Sequence, residues 1–285
     1  RDDDPLFQDG AERCADGSLN FVYKHAAEIG ELGDNVAALR EAMRRDTLLQ
    51  TAMREPAAET LVLGHTRWAS VGIISQPNAH PLNHEEAHDS SGPYVLGALN
   101  GDVDNHQDLA QQDGLKLHTA ITTDAKVIPA MVSRQMRQGH DLADAFSRTV
   151  TRLEGSVAIG AAATAHPDQL ALALRGSGQA LYVGFAEDTF VVASEPYGVV
   201  EECDRYLRLD GETPGNPDNP TGSRGQVVML RRDGAGELGG VTRAAYDGSE
   251  LPIDAASLTT AEVTTRDIDR GDHPHYLLKE IGESP

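Results

Sequence analysis

The sequence is short of cysteine, aromatic side chains, basic residues and long apolar runs, and each shortage excludes something. Only two cysteines occur, Cys14 and Cys203, far apart in the chain. They form neither a disulfide framework nor a zinc-ligand cluster, and a reducing cytoplasm is the expected compartment. Aromatic residues make up 5% with a single Trp, so Ala and the aliphatic residues must fill the core. Apolar stretches such as Val157–Ile159 and Ala161–Ala163 fall far below the ~20 residues needed to cross a bilayer. The opening Arg1-Asp2-Asp3-Asp4-Pro5 does not read as a signal peptide, which would carry a basic and then an apolar region. The 24 Lys and Arg face 45 Asp and Glu, a net charge of −21. Such a chain repels the phosphates of nucleic acid and of anionic lipid, so neither is an expected partner.

What is present is globular: 285 residues, 39% hydrophobic and 24% charged, enough for one large domain or two small ones. The chain does not start with Met, and it stops soon after Lys279-Glu280-Ile281, which reads as the start of another element. It is expected to be a piece of a longer protein. Residues 1–20 read as polar loop. Asp34-Asn35 can cap a helix carrying Val36, Leu39 and Met43 to about Arg45, with further helical turns through Leu48, Leu49 and Met53. Thr60–Leu63 reads as a buried strand, 75–93 as loop, and Tyr94–Leu99 as a strand closed by the turn signal Asn100-Gly101.

Thr123-Asp124 precedes an amphipathic helix with Val127, Ile128, Met131, Val132 and Met136 on one face. Asp141 caps another. From Ser156 the period changes to short β-rich runs at 156–163, 169–174, 181–185 and 190–193, with one more at 226–230. Strands joined by short turns imply antiparallel sheets, with the helices near 124–137 and 142–153 packed on one outer face. The expected domain spans 1–240, with 241–285 an extended linker and the first helix toward a further domain.

Several motifs invite chemistry. His84-Glu85-Glu86-Ala87-His88 fits the H-E-x-x-H zinc pattern, which needs both imidazoles on one helix face. Pro81 and Ser90-Ser91-Gly92-Pro93 flank it and no apolar stripe runs through it, so a solvated polar loop is the expected reading and no metal is assigned. Cys14 lies between Glu12 and Asp16, which disfavour a thiolate, and Cys203 follows Glu201-Glu202. No Gly-rich run has a nucleotide-binding context. Gly64-His65-Thr66-Arg67-Trp68-Ala69-Ser70 sets an Arg and the sole Trp at a strand end. Such an Arg can grip a carboxylate with two parallel hydrogen bonds, or stack on Trp, or make a structural ion pair. Asn100-Gly101 can form an oxyanion hole from a side-chain amide and a backbone N–H, or simply a hairpin turn. Asp124 can bind an ammonium group or cap a helix.

Taken together, Gly64–Ser70, Asn78-Ala79-His80-Pro81, Leu99-Asn100-Gly101-Asp102-Val103-Asp104-Asn105-His106 and Thr123-Asp124 resemble the class II glutamine amidotransferase domain in residues, order and spacing. Leu153–Val157, Ala193–Glu195 and His275–Ile281 fit later parts of that pattern, so the resemblance covers about residues 60–285. It implies an α+β fold, the four-layer αββα sandwich of two antiparallel sheets found in N-terminal nucleophile hydrolases, here expected without its opening strand. It implies a glutaminase in which an N-terminal Cys attacks the glutamine amide with its own α-amino group as base. The ammonia then reaches a separate sugar-phosphate isomerase domain, which aminates a sugar phosphate such as fructose-6-phosphate.

Residue by residue, the resemblance assigns the glutamine α-carboxylate to Arg67 with Ser70, and the α-ammonium to Asp124. It assigns the oxyanion to Asn100 and the Gly101 N–H, and the pocket wall to Trp68. No cofactor or metal is implied. Val71 stands where the family has His, and Ser70 where it has Thr. The family's Cys-Gly-Ile opening is missing. Cys14 is followed by Ala-Asp-Gly, so either an opening segment lies outside this chain or the domain is degenerate; as given, the chain is expected to be inactive alone. The alternatives are a non-catalytic glutamine-binding or regulatory domain, and the glutaminase of an amidophosphoribosyltransferase-like enzyme. The latter is disfavoured by the Lys279–Ile281 linker and by the lack of a phosphoribosyl-pyrophosphate loop. A homo-oligomer is compatible with all of these readings.

Overall fold

The computed structural model describes residues 11–15, 17–26, 33–67, 71–87, 89–261 and 273–274. Its centre is a six-stranded antiparallel sheet in the order β11-β10-β6-β5-β4-β3. The strands are β3 (Leu82–Asn83), β4 (Val95–Gly101), β5 (Val157–Ala163), β6 (Gln169–Arg175), β10 (Gln226–Arg231) and β11 (Val241–Ala245). A second antiparallel sheet holds β12 (Thr259–Thr260), β9 (Arg205–Arg208), β7 (Tyr182–Phe185) and β8 (Phe190–Ala193), in that order.

Both faces of the large sheet are buried, which is why its strands read as continuous apolar runs rather than an alternation with polar residues. Side chains alternate across a strand. Val157, Ile159, Ala161, Ala171, Ala173, Val227 and Met229 therefore meet one layer, which is helical. That layer is α4 (Val127–Arg137) and α5 (Leu142–Val150), contributing Val127, Ile128, Met131, Leu142, Ala145 and Phe146. The small Ala side chains of β5 and β6 on this face let the helices approach. On the opposite face Ala158, Leu172, Leu174, Val228 and Leu230 pack against Leu181, Val183, Phe185 and Leu207 of the second sheet. Beyond that sheet, Gly184 leaves room for Val199 of the one-turn helix α6 (Tyr197–Val200) and for Cys203. The layers are thus helix, sheet, sheet and a short outer helix, the α+β sandwich expected from the sequence.

The cap read at Asp141 forms, but the first helix starts at Asp34 with Gly33 in the capping position, so Asp34-Asn35 is not its cap. The Asp141 carboxylate accepts from the Asp144 N–H at 2.9 Å, and α1 (Asp34–Arg45) and α2 (Thr47–Ala52) lie where the periodicity puts them, with the Asp46 side chain capping α2. A further helix, α3 (His106–Asp113), links β4 to the Asp124 region.

Four further expectations need correction. The polar stretch at 11–22 is a hairpin, not a loop: β1 (Ala11–Ala15) pairs with β2 (Ser18–Val22). Ala15 is paired with Ser18, and Gly17 adopts φ +80°, the left-handed conformation that a tight hairpin turn favours. Thr60–Leu63 is not a buried strand; among the described residues it joins no ladder, and Val62 is 78% exposed. An apolar β-branched run becomes a strand only if a sheet edge is offered to it, and β3 already lies along β4 on that side. Asn100-Gly101 is not a turn, since both residues stay in β4 opposite Ala158 and Val157. The expected boundary at residue 240 falls inside the fold, because β11 pairs with β10 along its whole length. The helix read at Tyr276–Ile281 lies outside the described residues.

Because Leu172 sits fully between the two sheets and Val62 does not, truncating them should separate cleanly. Leu172→Ala is expected to cost about 2–5 kcal/mol of unfolding free energy in urea, and Val62→Ala less than about 0.5 kcal/mol. Equal effects would contradict the layer assignment.

Candidate functional site

The candidate residues gather at the C-terminal end of β4. β4 runs beside β5 throughout, but on its other side β3 covers only Leu96 and Gly97. Past that point the outer edge of β4 is lined by loops, and side chains take over from the ladder.

Asn78 ties two of those loops together. Fully buried, it accepts through Oδ1 from the N–H groups of Thr122 at 2.8 Å and Thr123 at 3.0 Å. Its Nδ2 donates to Ser75 Oγ at 2.8 Å and to the Ala120 carbonyl at 3.3 Å. Gly72 adds a second tie. It has φ +83°, and a Cβ there would lie 2.8 Å from Thr122 Oγ1, so only Gly lets the 71–74 segment lie against 122–123.

This stitching brings Arg67 toward Asp124, 57 positions later. The Arg67 guanidinium donates to the carbonyls of Val71 and of Ile73, the latter at 3.2 Å. Burial lowers its pKa, and the negative charge of Asp124 opposes that shift. Asp124 is only 4% exposed. Its Oδ2 accepts from the Val103 N–H at 2.7 Å, and its Oδ1 from Thr123 Oγ1 at 3.3 Å. It does not cap a regular helix by side chain; it opens a 3-10 turn (Asp124–Lys126) that leads into α4. A carboxylate offers about four lone-pair sites, so acceptor capacity remains.

Asn100 and Gly101 complete β4 within the same neighbourhood, three and two residues before Val103. Gly101 has φ +120°, and a Cβ on it would lie 2.0 Å from the Ser156 carbonyl oxygen, so the position admits no side chain. The side chain of Asn100 is exposed. Trp68 and Ser70 lie outside the described residues. The structure therefore brings Arg67, Asp124, Asn100 and Gly101 to one end of one strand.

Two further histidines belong to this corner, His65 and His80. Their rings stack at 4.4 Å between centroids. His80 Nδ1 accepts from the Leu99 N–H at 3.2 Å. The Leu99 carbonyl accepts from the His65 ring. Burial first, then the positive charges of His65, Arg67 and Lys24, push the His80 pKa down to about 2. His65 is lowered too, again chiefly by burial. Both rings are thus neutral at physiological pH. Each lay inside a quoted motif, but nothing in one-dimensional spacing said that both face Leu99.

The H-E-x-x-H segment is neither a zinc helix nor a solvated loop. His84, Glu85 and Glu86 are buried. Glu86 receives Arg134 Nε at 2.7 Å and Nη2 at 2.8 Å, with the Lys116 N–H at 2.6 Å. Glu85 accepts from Asn83 Nδ2 at 2.9 Å, and His84 Nδ1 from the Val95 N–H at 3.4 Å. His88 lies outside the described residues. The polarity that suggested solvent marks a buried ionic network, which sequence alone does not distinguish from a wet loop. Among the described residues no group of three His, Cys, Asp or Glu side chains could hold a metal ion, and no helix is long and apolar enough to cross a membrane.

Lys126 extends that network toward the site. It is 1% exposed, and its Nζ donates to the Asn83 carbonyl at 2.6 Å and to Asn83 Oδ1 at 3.0 Å. Burial, and then Lys24, lower its pKa to about 7, while Glu85 and Glu86 oppose the shift. Lys24 is lowered to about 8 by burial. Above these values the folded chain has released protons that the unfolded chain still holds, so stability rises with pH. We expect the unfolding free energy to increase from about pH 7 to about 9.5, at no more than about 1.4 kcal/mol per pH unit for each lysine. Lys126→Met should flatten that rise. The range stops short of the ordinary Tyr value of 10, above which buried Tyr246, its pKa raised by burial, acts in the opposite direction. An unchanged slope in the variant would refute the assignment.

No family model matches this sequence. It is 28% identical over 281 residues, 98% of this chain and 42% of the relative, to the glutamine–fructose-6-phosphate aminotransferase (isomerizing) of Bacillus thuringiensis subsp. konkukian. Against the enzyme of the same name from Halalkalibacterium halodurans it is 29% identical over 242 residues, 85% of this chain and 35% of that one. A solved structure of glutamine phosphoribosylpyrophosphate amidotransferase from B. subtilis, complexed with ADP and GMP, aligns with a TM-score of 0.44 at 22% identity, covering 64% of this chain and 34% of that one. That score is too low to carry an argument. The chain spans less than half the length of these curated relatives. Over nearly its whole length it is nonetheless similar to enzymes named glutamine–fructose-6-phosphate aminotransferase, in line with its resemblance to class II glutamine amidotransferase domains.

Proposed function

We propose that this chain is the glutaminase domain of a glutamine-dependent amidotransferase, which hydrolyses glutamine and supplies ammonia for amination of fructose-6-phosphate or a similar sugar phosphate. Near-full-length similarity to enzymes of that name supports the reading. The observation that carries it is the buried Asp124 carboxylate, bonded to the Val103 N–H just past the end of the strand that bears Asn100 and Gly101.

The chemistry asks for this set. Glutamine is a zwitterion with a neutral side-chain amide. Its carboxylate needs a fork of donors, and Arg67 spends only part of its five on Val71 and Ile73. Its ammonium needs a buried anion, the role given to Asp124. Its reacting carbonyl needs two donors where negative charge develops, the role given to the Asn100 amide and the Gly101 N–H. Ser70 is assigned to the carboxylate with Arg67, and Trp68 to the pocket wall. The nucleophile is assigned to neither cysteine of this chain. Cys14 is exposed on β1, and Cys203 is buried, its thiol raised by burial and by Glu202 and Asp204. The 285-residue chain alone is accordingly proposed to bind glutamine without turning it over. In the full-length enzyme a Cys-Gly-Ile opening would provide the thiolate, a separate isomerase domain the sugar-phosphate site, and the cytoplasm the compartment. The placement of the two cysteines also favours the second reading, a non-catalytic glutamine-binding domain; it predicts binding without hydrolysis even in the full-length protein.

Steady-state kinetics of the full-length protein separate these roles. Arg67→Ala and Asp124→Asn should each raise the glutamine KM by roughly ten-fold or more, the loss of a charge-assisted bond of about 1.5–3 kcal/mol. Asn100→Ala should lower kcat by ~10²–10³ with little change in KM. An unchanged KM in Asp124→Asn would remove Asp124 from the site.

A further inference from the structure

The outer edge of β4 changes partners residue by residue, and the change is informative. In an antiparallel ladder the N–H and C=O of alternate residues point to the same side. Asp102, with its N–H on the Ser156 carbonyl at 3.0 Å, faces β5; Gly97, Leu99 and Gly101 therefore face the outer side. Gly97 is paired there with Leu82 of β3. Continued by two residues, that register would set residue 80 opposite Leu99. The ladder stops instead after Leu82. The His80 side chain occupies the vacated register: its Nδ1 receives the Leu99 N–H at 3.2 Å, while the His65 ring takes the Leu99 carbonyl. The next outward-facing peptide is that of Gly101.

We propose that His65 and His80 are positioning residues: as a pair of neutral imidazoles they clamp both backbone groups of Leu99, and so hold Asn100 and the Gly101 N–H at the place where the glutamine carbonyl would develop charge. This rests on the glutaminase reading above. The tautomers follow from the bonds. His80 accepts at Nδ1, so its proton is on Nε2. His65 Nδ1 has no partner among the described residues, which leaves Nε2 as its donor. A protonated His80 could not accept from Leu99; burial first, then the positive charges around the ring, oppose its protonation. A peptide ladder would hold Leu99 as well, but it would continue to Gly101 and consume the N–H that the site needs free. Two side chains hold the strand one residue pair short of that point.

The test uses the full-length protein and three variants. His80→Leu removes the acceptor, His80→Asn offers Oδ1 near the place of Nδ1, and His65→Gln keeps a donor near the place of Nε2. His80→Leu should lower the kcat for glutamine by roughly 10²-fold, the cost of slight misplacement, with KM within about two-fold. His80→Asn should recover most of the loss, and His65→Gln should keep most of the native kcat. Amide hydrogen exchange at Leu99, read by NMR, should be slow in the native protein and in His80→Asn and fast in His80→Leu. An unaltered kcat in His80→Leu, a rise in KM matching the fall in kcat, or a His80→Asn as poor as His80→Leu would overturn the positioning role. Fast Leu99 exchange in the native protein would overturn the clamp whatever the activity. A native protein that protects Leu99 but hydrolyses no glutamine would overturn the glutaminase reading, and the positioning role with it, while the clamp itself stood.

Discussion

The site depends on one constraint, the unequal pairing of the two edges of β4. One edge is held by β5 through seven consecutive residue pairs, from Val95↔Ala163 to Gly101↔Val157. The other has a regular partner only at Leu96 and Gly97. A strand held on one side and open on the other presents unsatisfied peptide groups in a fixed row, and such groups when buried must find partners. His80 and His65 meet that need at Leu99, and Asp124 meets it at Val103. Between them lies Gly101. A functional edge and a protected edge are here the same strand, divided by where β3 ends.

Rigidity behind that edge comes from polar groups buried in an unusually dense set. Asn78 joins the 75–78 and 120–123 segments, while Asn83, Lys126, Glu85, Glu86 and Arg134 join β3 to α4. Burying a lysine and two carboxylates opposes folding unless their hydrogen bonds are made, and breaking one member leaves the others uncompensated. Such a network contributes less to net stability than to a single geometry, the property a site needs when its donors must be in place before charge develops.

The apolar layers set the stage with little help from aromatic rings. Alternation along β6 sends Ala171 and Ala173 toward α4 and α5 and Leu172 and Leu174 toward the second sheet, while β5 adds Ala161 and Ala163 on the helical face. Small residues let helices close on the sheet, and larger ones fill the gap between sheets. This division explains why a chain with one Trp and five Phe builds two adjoining cores.

By itself the sequence determined the class of fold and the candidate residues. Helical and strand periods, Asp141 as a cap and the run of β-rich segments after Ser156 are local properties, written in the spacing of apolar side chains and in cap chemistry. The types of residue at Arg67, Asn100, Gly101 and Asp124 were likewise legible, because each chemical task admits few side chains. Tertiary structure alone decided where polar and apolar residues would end up. Val62 lies outside and His84, Glu85, Glu86 and Lys126 lie inside, because burial depends on which edges and faces neighbouring elements leave open. It also decided that Asn100-Gly101 extends a strand instead of turning, since the Ser156 carbonyl comes to fill the space where a Cβ would stand. The two histidines facing Leu99 belong to the same class: they act on a peptide group 19 and 34 positions away, and only the register of β3 on β4 brings them there.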